Sequence, residues 1–355
     1  MASIENPAIP KGSTVLVTGV NGLIASHVAN QFVQQGYKVR GTVRNTEKNA
    51  WLPAYFNRTY GEGHFELVCV PNITIETAFD EAVKGVSAFI HVASVVTFNP
   101  DPNKVIPIAV EGALCAIKAA YKEPSVKRFV LTSSSSTTLP ADRNTFLSLN
   151  GAVITEDSWS PDAIELAWTP GPWEPAHGGP VYIASKVTQE QTIWEYYKEN
   201  QSKRPDIVVN TVLPNMNFGR SIDPVNQGHP TSTGFLRPLL EGRQIPPIWR
   251  LPQNFINNED DGLLHVAAAI LPDVQGERIF GFAGPFTWDQ VLAILRKHYP
   301  GKEFADDFSN PTYPAVIKPR ERAEELLKRF GKPGWTSLEE TVVQNAESFR
   351  AAGVM

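Results

Sequence analysis

A glycine turn between an apolar strand and a helix constrains the fold of this chain more than any other feature. Residues 14–18 have the composition of a buried strand, and residues 23–35 have the apolar spacing of a helix. Between them, Gly19 and Gly22 permit a tight turn and a close approach of a ligand to the backbone. Because the N–H groups at a helix N-terminus attract phosphate, the segment predicts a dinucleotide site.

The alternation of strand-like and helix-like segments continues as far as residue 213. Such alternation builds a parallel sheet with helices on both faces. We therefore predict an α/β fold with a Rossmann-type doubly wound parallel sheet and a smaller C-terminal substrate lobe. The further predicted strands are 38–43, 65–70, 86–92, 128–132 and 207–213, and the further predicted helices are 75–83, 104–121, 182–199, 259–271, 288–298 and 337–350.

Composition excludes several classes of function. Hydrophobic residues make up 42% and charged residues 19%, and a net charge of -5 offers no basic surface for nucleic acid or an anionic membrane. The start of the chain lacks a signal-peptide pattern, and its longest apolar runs are too short to cross a bilayer. We expect a cytoplasmic protein without membrane or nucleic-acid partners. Cys69 and Cys115 are predicted to be buried free thiols, and no Cys/His spacing suggests a metal site.

The end of the second predicted strand indicates which dinucleotide binds. An acidic residue there commonly holds the ribose 2′-hydroxyl of NAD, but this chain has no acid and continues into Arg44. A guanidinium forms a charge-assisted fork with phosphate, so Arg44 favours NADP(H) over NAD(H), with Arg40 and Lys48 as weaker candidates. The alternative interpretation is a solvated basic strand end.

Other residues at strand ends complete the predicted cofactor site. Asn72 follows the third strand, where it could hydrogen-bond the adenine. His91 ends the fourth strand, and we interpret it as a packing or cofactor-side residue rather than an acid or base. The cofactor-binding set from this pattern is Thr18, Gly19, Asn21, Gly22, Leu23, Ile24, Arg44, Lys48, Asn72, Ile73, Val92, Ala93 and Ser94.

A phenol and an ammonium group lie one helical turn apart in the middle of the chain. Tyr182 and Lys186 are spaced i,i+4 on a predicted helix, so both can touch one ligand. The hydroxyl-rich segment 132–136 ends a predicted buried strand, and ligands bind at that edge of such sheets. A serine there could hold a carbonyl while Tyr182 protonates its oxygen and a nicotinamide delivers hydride. Four consecutive serines leave the choice among them open, and a serine hydrolase is disfavoured because no Gly-x-Ser-x-Gly elbow occurs.

Taken together, these motifs resemble the extended short-chain dehydrogenase/reductases. The similarity is to the branch of dihydroflavonol 4-reductase and the fungal NADPH-dependent aldehyde (carbonyl) reductases, and it covers nearly the whole chain. The matching stretches are residues 15–25, 36–44, 91–96, 126–134, 213–215 and 278–281, together with Tyr182-x-x-x-Lys186.

This resemblance implies roles for particular residues. It implies that Ser134 polarises the substrate carbonyl, that Tyr182 is the acid, and that Lys186 orients the cofactor ribose and lowers the phenol pKa. It further implies that Arg44 reads the 2′-phosphate and that Pro214 adjoins the nicotinamide. Two positions depart from the family pattern: Asn72 replaces a common Asp, which alters the adenine contact, and Glu111 replaces a common Asn, which puts the usual proton-relay water site in question.

A predicted substrate pocket follows from the same topology. Its walls are predicted to be apolar and aromatic, and no Arg/Lys cluster is present for a sugar diphosphate. Ordinary core packing is the alternative role for each aromatic residue. We expect residues 1–213 to form mainly the NADP(H)-binding core with the Ser/Tyr/Lys site, and residues 214–355 mainly a substrate lobe with some return to the core. The predicted pocket residues are Val95, Phe98, Ser134, Asn215, Met216 and Phe235, with Trp173 from the Pro- and Trp-rich loop 137–181.

The combined prediction is an NADPH-dependent carbonyl reductase. It would transfer hydride to a small hydrophobic ketone, keto ester or aldehyde, with NADPH/NADP+ as its cofactor and a monomer or homodimer as its assembly. One alternative is a sugar-nucleotide epimerase or dehydratase of the same fold, which would retain NAD on purification because such reactions recycle the cofactor. The other is a non-catalytic NADP(H)-sensing protein, which would bind NADPH without turnover.

Overall fold

Twelve strands and eleven α-helices, with five short 3-10 helices, make up the regular structure in the part of the chain described by a computed structural model, namely residues 4–149, 151–246, 250–308, 313 and 315–355. The strands are β1 (Thr14–Thr18), β2 (Lys38–Val43), β3 (Phe65–Cys69), β4 (Ala88–His91), β5 (Arg128–Thr132), β6 (Val153–Ile154), β7 (Val208–Pro214), β8 (Met216–Phe218), β9 (Gln253–Asn257), β10 (Arg278–Gly281), β11 (Gly284–Phe286) and β12 (Val316–Ile317). The helices are α1 (Leu23–Gln34), α2 (Trp51–Tyr60), α3 (Ile106–Lys122), α4 (Arg143–Leu147), α5 (Ala163–Ala167), α6 (Gly178–Asn200), α7 (Leu236–Leu240), α8 (Asn258–Ile270), α9 (Trp288–His298), α10 (Arg320–Arg329) and α11 (Leu338–Ala351).

Seven of these strands form one parallel sheet in the order β10-β7-β5-β4-β1-β2-β3. The chain builds the sheet outward from β1 in one direction and then crosses to β4 and continues in the other. This reversal is the topological switch point at which doubly wound sheets bind ligands. The predicted Rossmann-type fold is confirmed.

The central sheet is buried on both faces, which explains the apolar runs in its strands. Strand β5 is buried along its whole length, as is β4. Helices α1 and α8 pack together over one face, while α3 and α6 pack over the other. Because the strands are parallel, the C-terminal ends of β1, β4, β5 and β7 lie along the same edge of this covered sheet.

A second, smaller core is built from the part of the chain that follows β7. Strand β9 pairs with β8 on one side and with β11 on the other, and α7, α9 and α11 cover this sheet. Phe218, Phe286 and Trp288 pack edge-on within it, with ring centroids 5.3–5.8 Å apart. The chain then returns to the central sheet as β10, which pairs with β7 at the edge of that sheet. The residues between β7 and β10 therefore connect the two cores.

Some local predictions were wrong. Residues 75–83, predicted as a helix, form successive turns. The Ala78 N–H donates to the Ile75 carbonyl, and the Asp80 N–H donates to the Thr77 carbonyl. Hydrogen bonds with this three-residue spacing do not continue an α-helix. Phe79 still buries its ring, so the apolar spacing was real although the conformation was not helical. Helices α2 and α10 were not predicted, because a proline near the start of one and the high charge of the other hide their apolar faces.

The two cysteines differ in their surroundings. Both are free, and Cys115 is buried as predicted, but Cys69 is exposed. The prediction for Cys69 was wrong because β3 is the edge strand of the sheet and is only partly covered. None of the helices in the described ranges has the length and apolarity needed to span a bilayer.

Candidate active site

The glycine turn after β1 has the geometry that its sequence predicts. Gly19 has φ +68°, and a Cβ there would lie 3.2 Å from the Ala93 Cβ. Gly22 N–H donates to the Gly19 carbonyl at 2.9 Å, which closes the turn. Gly22 is also the N-cap of α1 and offers no side-chain cap, so first-turn N–H groups of this helix remain available to an anion.

The Thr18 side chain links the C-terminal ends of β1 and β4 through hydrogen bonds. Its Oγ1 accepts hydrogen bonds from the Val92 and Ala93 N–H groups, both at 3.0 Å, and lies 3.2 Å from His91 Nδ1. Burial, together with the nearby Lys186 charge, lowers the pKa of His91 to about 3. His91 is therefore neutral at physiological pH and packs against the strand ends.

Arg40 and Arg44 differ in what their side chains contact. Arg40 donates to Glu66 at 2.5 Å and to the Ala82 carbonyl at 2.8 Å, so its guanidinium is already engaged. Arg44 lies just beyond β2, is exposed, and has no side-chain partner among the described residues. Lys48 is exposed a turn later. Of the two arginines, Arg44 is the one whose donors are free for a ligand.

The remaining predicted cofactor residues occupy the rim of the same edge. Asn72 Oδ1 accepts from the Thr74 N–H at 3.0 Å and from its hydroxyl at 2.8 Å, which leaves the Asn72 amide NH2 free to donate. Ile73 packs against Gly112 of α3, where a Cβ would lie 2.7 Å from Ile73 Cδ1. Asn21 is exposed, Leu23 is buried, Ile24 packs on the core, Ser94 follows β4, and Pro214 ends β7.

The tertiary structure separates the four consecutive serines. Ser133 points into the core and donates to Glu190 Oε2 at 2.6 Å, while Ser134 lies beside Tyr182 and lowers the pKa of its phenol. Ser136 donates to Ser134 Oγ from its hydroxyl at 2.9 Å and from its N–H at 3.2 Å. Within the serine run, Ser134 is thus the one joined to Tyr182, a distinction that sequence reasoning alone left open.

Tyr182 is held between a hydroxyl and an aromatic ring. Burial raises the pKa of Tyr182, and the Ser134 hydrogen bond acts in the opposite direction. The Phe98 ring lies 5.0 Å from the Tyr182 ring, centroid to centroid. A half-buried phenol with a raised pKa is protonated at neutral pH, so Tyr182 can donate a proton.

Lys186 lies one turn further along α6 and is only 3% exposed. Its Nζ donates to the Thr132 carbonyl at 3.2 Å and to Gln189 Oε1 at 3.3 Å. Burial lowers the pKa of Lys186 to about 8, while the Glu190 carboxylate favours the charged form. The site thus places a protonated phenol, a serine hydroxyl and a buried amine at the carboxyl edge of the sheet.

A buried ion pair between Glu190 and Arg278 contacts the serine-rich segment 132–137. Glu190 is 0% exposed and accepts from Arg278 Nε at 2.8 Å, from Ser133 and from the Thr211 hydroxyl at 2.9 Å. Arg278 also donates to the Thr137 hydroxyl at 3.1 Å. Sequence reasoning gave neither Gln189 nor Glu190 a role, although they lie only three and four residues after Lys186 in α6.

The predicted pocket residues pack against different parts of the structure. Phe98 faces Tyr182, and Val95 packs with the apolar cluster beneath α3 and α6. Trp173 donates to the Thr169 carbonyl at 2.8 Å and stacks on His177, so its indole N–H holds its own loop together. Three others lie beyond β7: Asn215 N–H bonds the Gly281 carbonyl, and Met216 and Phe235 pack against the smaller core.

Glu111 points away from this site. Its side chain is exposed on α3 and accepts a weak hydrogen bond from Cys115 Sγ at 3.5 Å.

Comparisons with known proteins agree with this architecture. Residues 15–151 match the family model described as the NAD dependent epimerase/dehydratase family. The chain is 39% identical to Aldehyde reductase 2 of Sporidiobolus salmonicolor, over 96% of this chain and 97% of that protein. It is 38% identical to Ketoreductase adrE of Penicillium rubens, over 96% of this chain and 97% of that protein.

A solved structure shows the same fold over almost the whole length. Gre2 from Candida albicans in complex with NADPH superposes with a TM-score of 0.82 at 25% identity, covering 97% of this chain and 99% of that chain. The relatives match both the nucleotide-binding core and the C-terminal lobe. The chain is thus an oxidoreductase of the short-chain dehydrogenase/reductase type and belongs to the NAD dependent epimerase/dehydratase family.

Proposed function

We propose that the chain is an NADPH-dependent carbonyl reductase that converts a hydrophobic ketone, keto ester or aldehyde to the alcohol. The observation that carries this proposal is the Tyr182 phenol, which lies beside Ser134 and one helical turn from the buried Lys186. The names of the relatives, an aldehyde reductase and a ketoreductase, support it. The NADPH complex of Candida Gre2 supports the choice of cofactor.

The described residues fit a dinucleotide along the carboxyl edge of the sheet. The uncapped N-terminus of α1 offers backbone N–H groups to the pyrophosphate, the turn at Gly19 lets the pyrophosphate approach the backbone, and Arg44 offers to the 2′-phosphate a guanidinium without a partner among the described residues. At the opposite end of the trough, Ser94 Oγ and Asn215 Nδ2 are buried without a hydrogen-bond partner among the described residues. Buried polar atoms of this kind are normally satisfied, so a ligand with polar edges fits there. Bound NADPH would supply the hydride.

The protein's own part in the reaction is to bind and protonate the carbonyl oxygen. Because Ser134 and Tyr182 are neighbours, a carbonyl oxygen bound between their hydroxyls would accept a hydrogen bond from each. Tyr182 would then transfer its proton to that oxygen as the carbonyl is reduced to the alcohol. The Lys186 ammonium stabilises the phenolate that remains and orients the ribose.

Apolar groups beside Tyr182 suggest the substrate class. The Phe98 ring lies against the phenol, and Val95 belongs to the adjacent apolar cluster. A hydrophobic substituent on the carbonyl would bury area against these groups, whereas a phosphorylated sugar would need cationic partners there. We place the cofactor in the core of residues 1–213 and the remaining substrate contacts in the lobe of residues 214–355.

Cofactor oxidation with a carbonyl panel tests the proposed function. Absorbance would be followed with NADPH and, separately, with NADH, against aryl ketones, keto esters, and aliphatic and aromatic aldehydes. We expect oxidation of NADPH in preference to NADH and faster turnover of the hydrophobic substrates. Binding of NADPH without oxidation on the whole panel would contradict the proposal and favour a sensing protein. Tightly bound NAD in the purified protein would favour an epimerase.

Replacing Arg44 by Ala should weaken NADPH use selectively. The KM for NADPH is expected to rise roughly 10-fold, because a hydrogen bond to a charged group contributes roughly 1.5 kcal/mol or more, while kcat changes little. NADH lacks the 2′-phosphate, so its KM serves as the internal control and should not change. Equal NADPH KM values for Arg44→Ala and wild type would remove Arg44 from the cofactor site.

A further inference from the structure

One side chain links Lys186 to a neighbouring helix. Gln189 is 1% exposed on α6, and its Oε1 accepts the hydrogen bond from Lys186 Nζ at 3.3 Å. Its Nε2 donates to the Ala109 carbonyl of α3 at 3.1 Å. The carboxamide therefore uses its acceptor on the amine and a donor on the backbone of the next helix. A buried amide in contact with both is fixed in one orientation.

The Lys186 amine is held by neutral acceptors. Its two partners are the Thr132 carbonyl and the Gln189 carboxamide. The nearest carboxylate, Glu190, favours the charged amine at longer range but is itself bound by Arg278. The amine is thus held by dipoles rather than by a salt bridge.

Charged and titratable groups on the surrounding elements complete this environment. On β4, His91 is neutral because burial lowers its pKa to about 3. On α8, His265 Nε2 lies 2.8 Å from the hydroxyl of Thr132, the residue whose carbonyl binds Lys186, and Asp261 lies behind His265 at 3.3 Å. On α3, Glu111 is exposed and bonded to Cys115. On α6 itself, Tyr182 and Glu190 flank the amine within one turn.

We propose that Gln189 is a positioning residue of the active site, whose carboxamide anchors the Lys186 amine to the backbone of α3. The inference rests on the proposed carbonyl reduction. The carboxamide accepts from the ammonium through its oxygen and donates to the Ala109 carbonyl through its nitrogen. A carboxylate at this position would bind the ammonium but repel the carbonyl, and an aliphatic side chain would bind neither. The side chain at position 189 thus controls both the orientation of the Lys186 amine and its protonation.

Titration of Lys186 in the cofactor-free protein tests the anchor without using activity. The lysine side chains would be isotopically labelled, and the Lys186 signal would be identified in an NMR spectrum by its loss in Lys186→Met. Compared with wild type, Gln189→Glu should raise the pKa of Lys186 by about one unit, because an adjacent opposite charge favours the ammonium. Gln189→Leu should lower it by about one unit, because the charged form loses an acceptor.

Gln191→Glu is the matched control. Gln191 lies on α6 as well, but it is exposed on the outer surface, so the same added charge should leave the Lys186 titration unchanged. Unchanged titration in folded Gln189→Glu would overturn the inference. Gln189→Glu decides the question if the leucine variant does not fold, since it preserves the size of the side chain. A shift of equal size in Gln191→Glu would also overturn the inference, because it would show a general charge effect.

Kinetics separate this inference from the proposed function. If the wild-type protein reduces carbonyls, Gln189→Leu should raise the KM for NADPH and move the pH profile of kcat/KM to lower pH, whereas Gln189→Glu should move it to higher pH. If Gln189 were purely structural, its variants would change thermal stability, but the pH profiles of the Leu and Glu variants would not move in opposite directions. If the wild-type protein reduces nothing on the panel, the proposed function fails, while the NMR titration still decides whether Gln189 anchors Lys186.

Discussion

Tyr182→Phe is expected to lose nearly all carbonyl reduction while binding NADPH as tightly as wild type. The change removes one hydroxyl and leaves the ring that packs against Phe98 at 5.0 Å, so the fold around the site should persist. A general acid contributes about 10²- to 10⁴-fold to the rate, and the loss should fall in that range. Single-turnover rates with saturating NADPH would measure the loss, and fluorescence titration would measure cofactor binding.

Tyr196→Phe provides a control on the same helix. Tyr196 lies on α6, half-buried against Tyr121 and away from the serine loop, so its hydroxyl should be dispensable for turnover. Wild-type kcat/KM in Tyr182→Phe would exclude Tyr182 as the proton donor. Loss of NADPH binding in that variant would also contradict the proposal, because it would assign Tyr182 to the cofactor rather than to proton transfer.

The proposed acid also predicts the pH dependence of the wild-type reaction. Burial raises the pKa of Tyr182, so the phenol stays protonated through neutral pH. Carbonyl reduction requires this proton and should fall as the pH rises through the phenol pKa. Alcohol oxidation requires the phenolate and should increase over the same pH interval. Tyr182→Phe should abolish this dependence along with turnover.

Arg278→Met is expected to cause the largest loss of stability. It would leave Glu190, which is 0% exposed, without its cation. Breaking a buried ion pair by removing one partner costs about 3–5 kcal/mol, because an uncompensated charge stays in the core. Urea unfolding at neutral pH would measure the change in the free energy of unfolding. The serine loop should loosen as well, since Arg278 also holds Thr137 and the Ser158 carbonyl.

A second substitution distinguishes the buried charge from the lost packing. Adding Glu190→Gln to Arg278→Met removes the unpaired charge, and the double variant should recover part of the lost free energy. Lys84→Met is the control, because the Lys84–Glu81 pair has side chains 62% and 84% exposed and should contribute little. If Arg278→Met unfolds at the wild-type urea concentration, the pair does not stabilise the fold.

Local patterns predicted most of the central sheet. The strands at 14–18, 38–43 and 128–132 and the helix at 288–298 have the predicted bounds, since each has a strand-like or helical pattern between turn signals. Prediction was wrong where neighbouring elements decide the conformation. Residues 75–83 have helical spacing but pack as turns around Phe79.

For the candidate site, sequence and tertiary structure contributed different information. The glycine turn, the absence of an acid before Arg44 and the i,i+4 pair of Tyr182 and Lys186 are properties of short segments, so they could be recognised before the fold was known. The choice of Ser134 could not, because adjacent serines differ only in direction, and the packing of α6 on β5 sets which hydroxyl meets the phenol.

The partners of the charged groups were decided by tertiary structure alone. Residues 190 and 278 are far apart in the chain, and so are Gln189 and Ala109, yet the crossover of the sheet brings each pair into contact. Sequence periodicity reports which side of a helix is buried but not what lies opposite it. The amino-acid sequence therefore specified the type of fold and the reacting groups, whereas long-range packing specified how those groups are aimed, desolvated and charged.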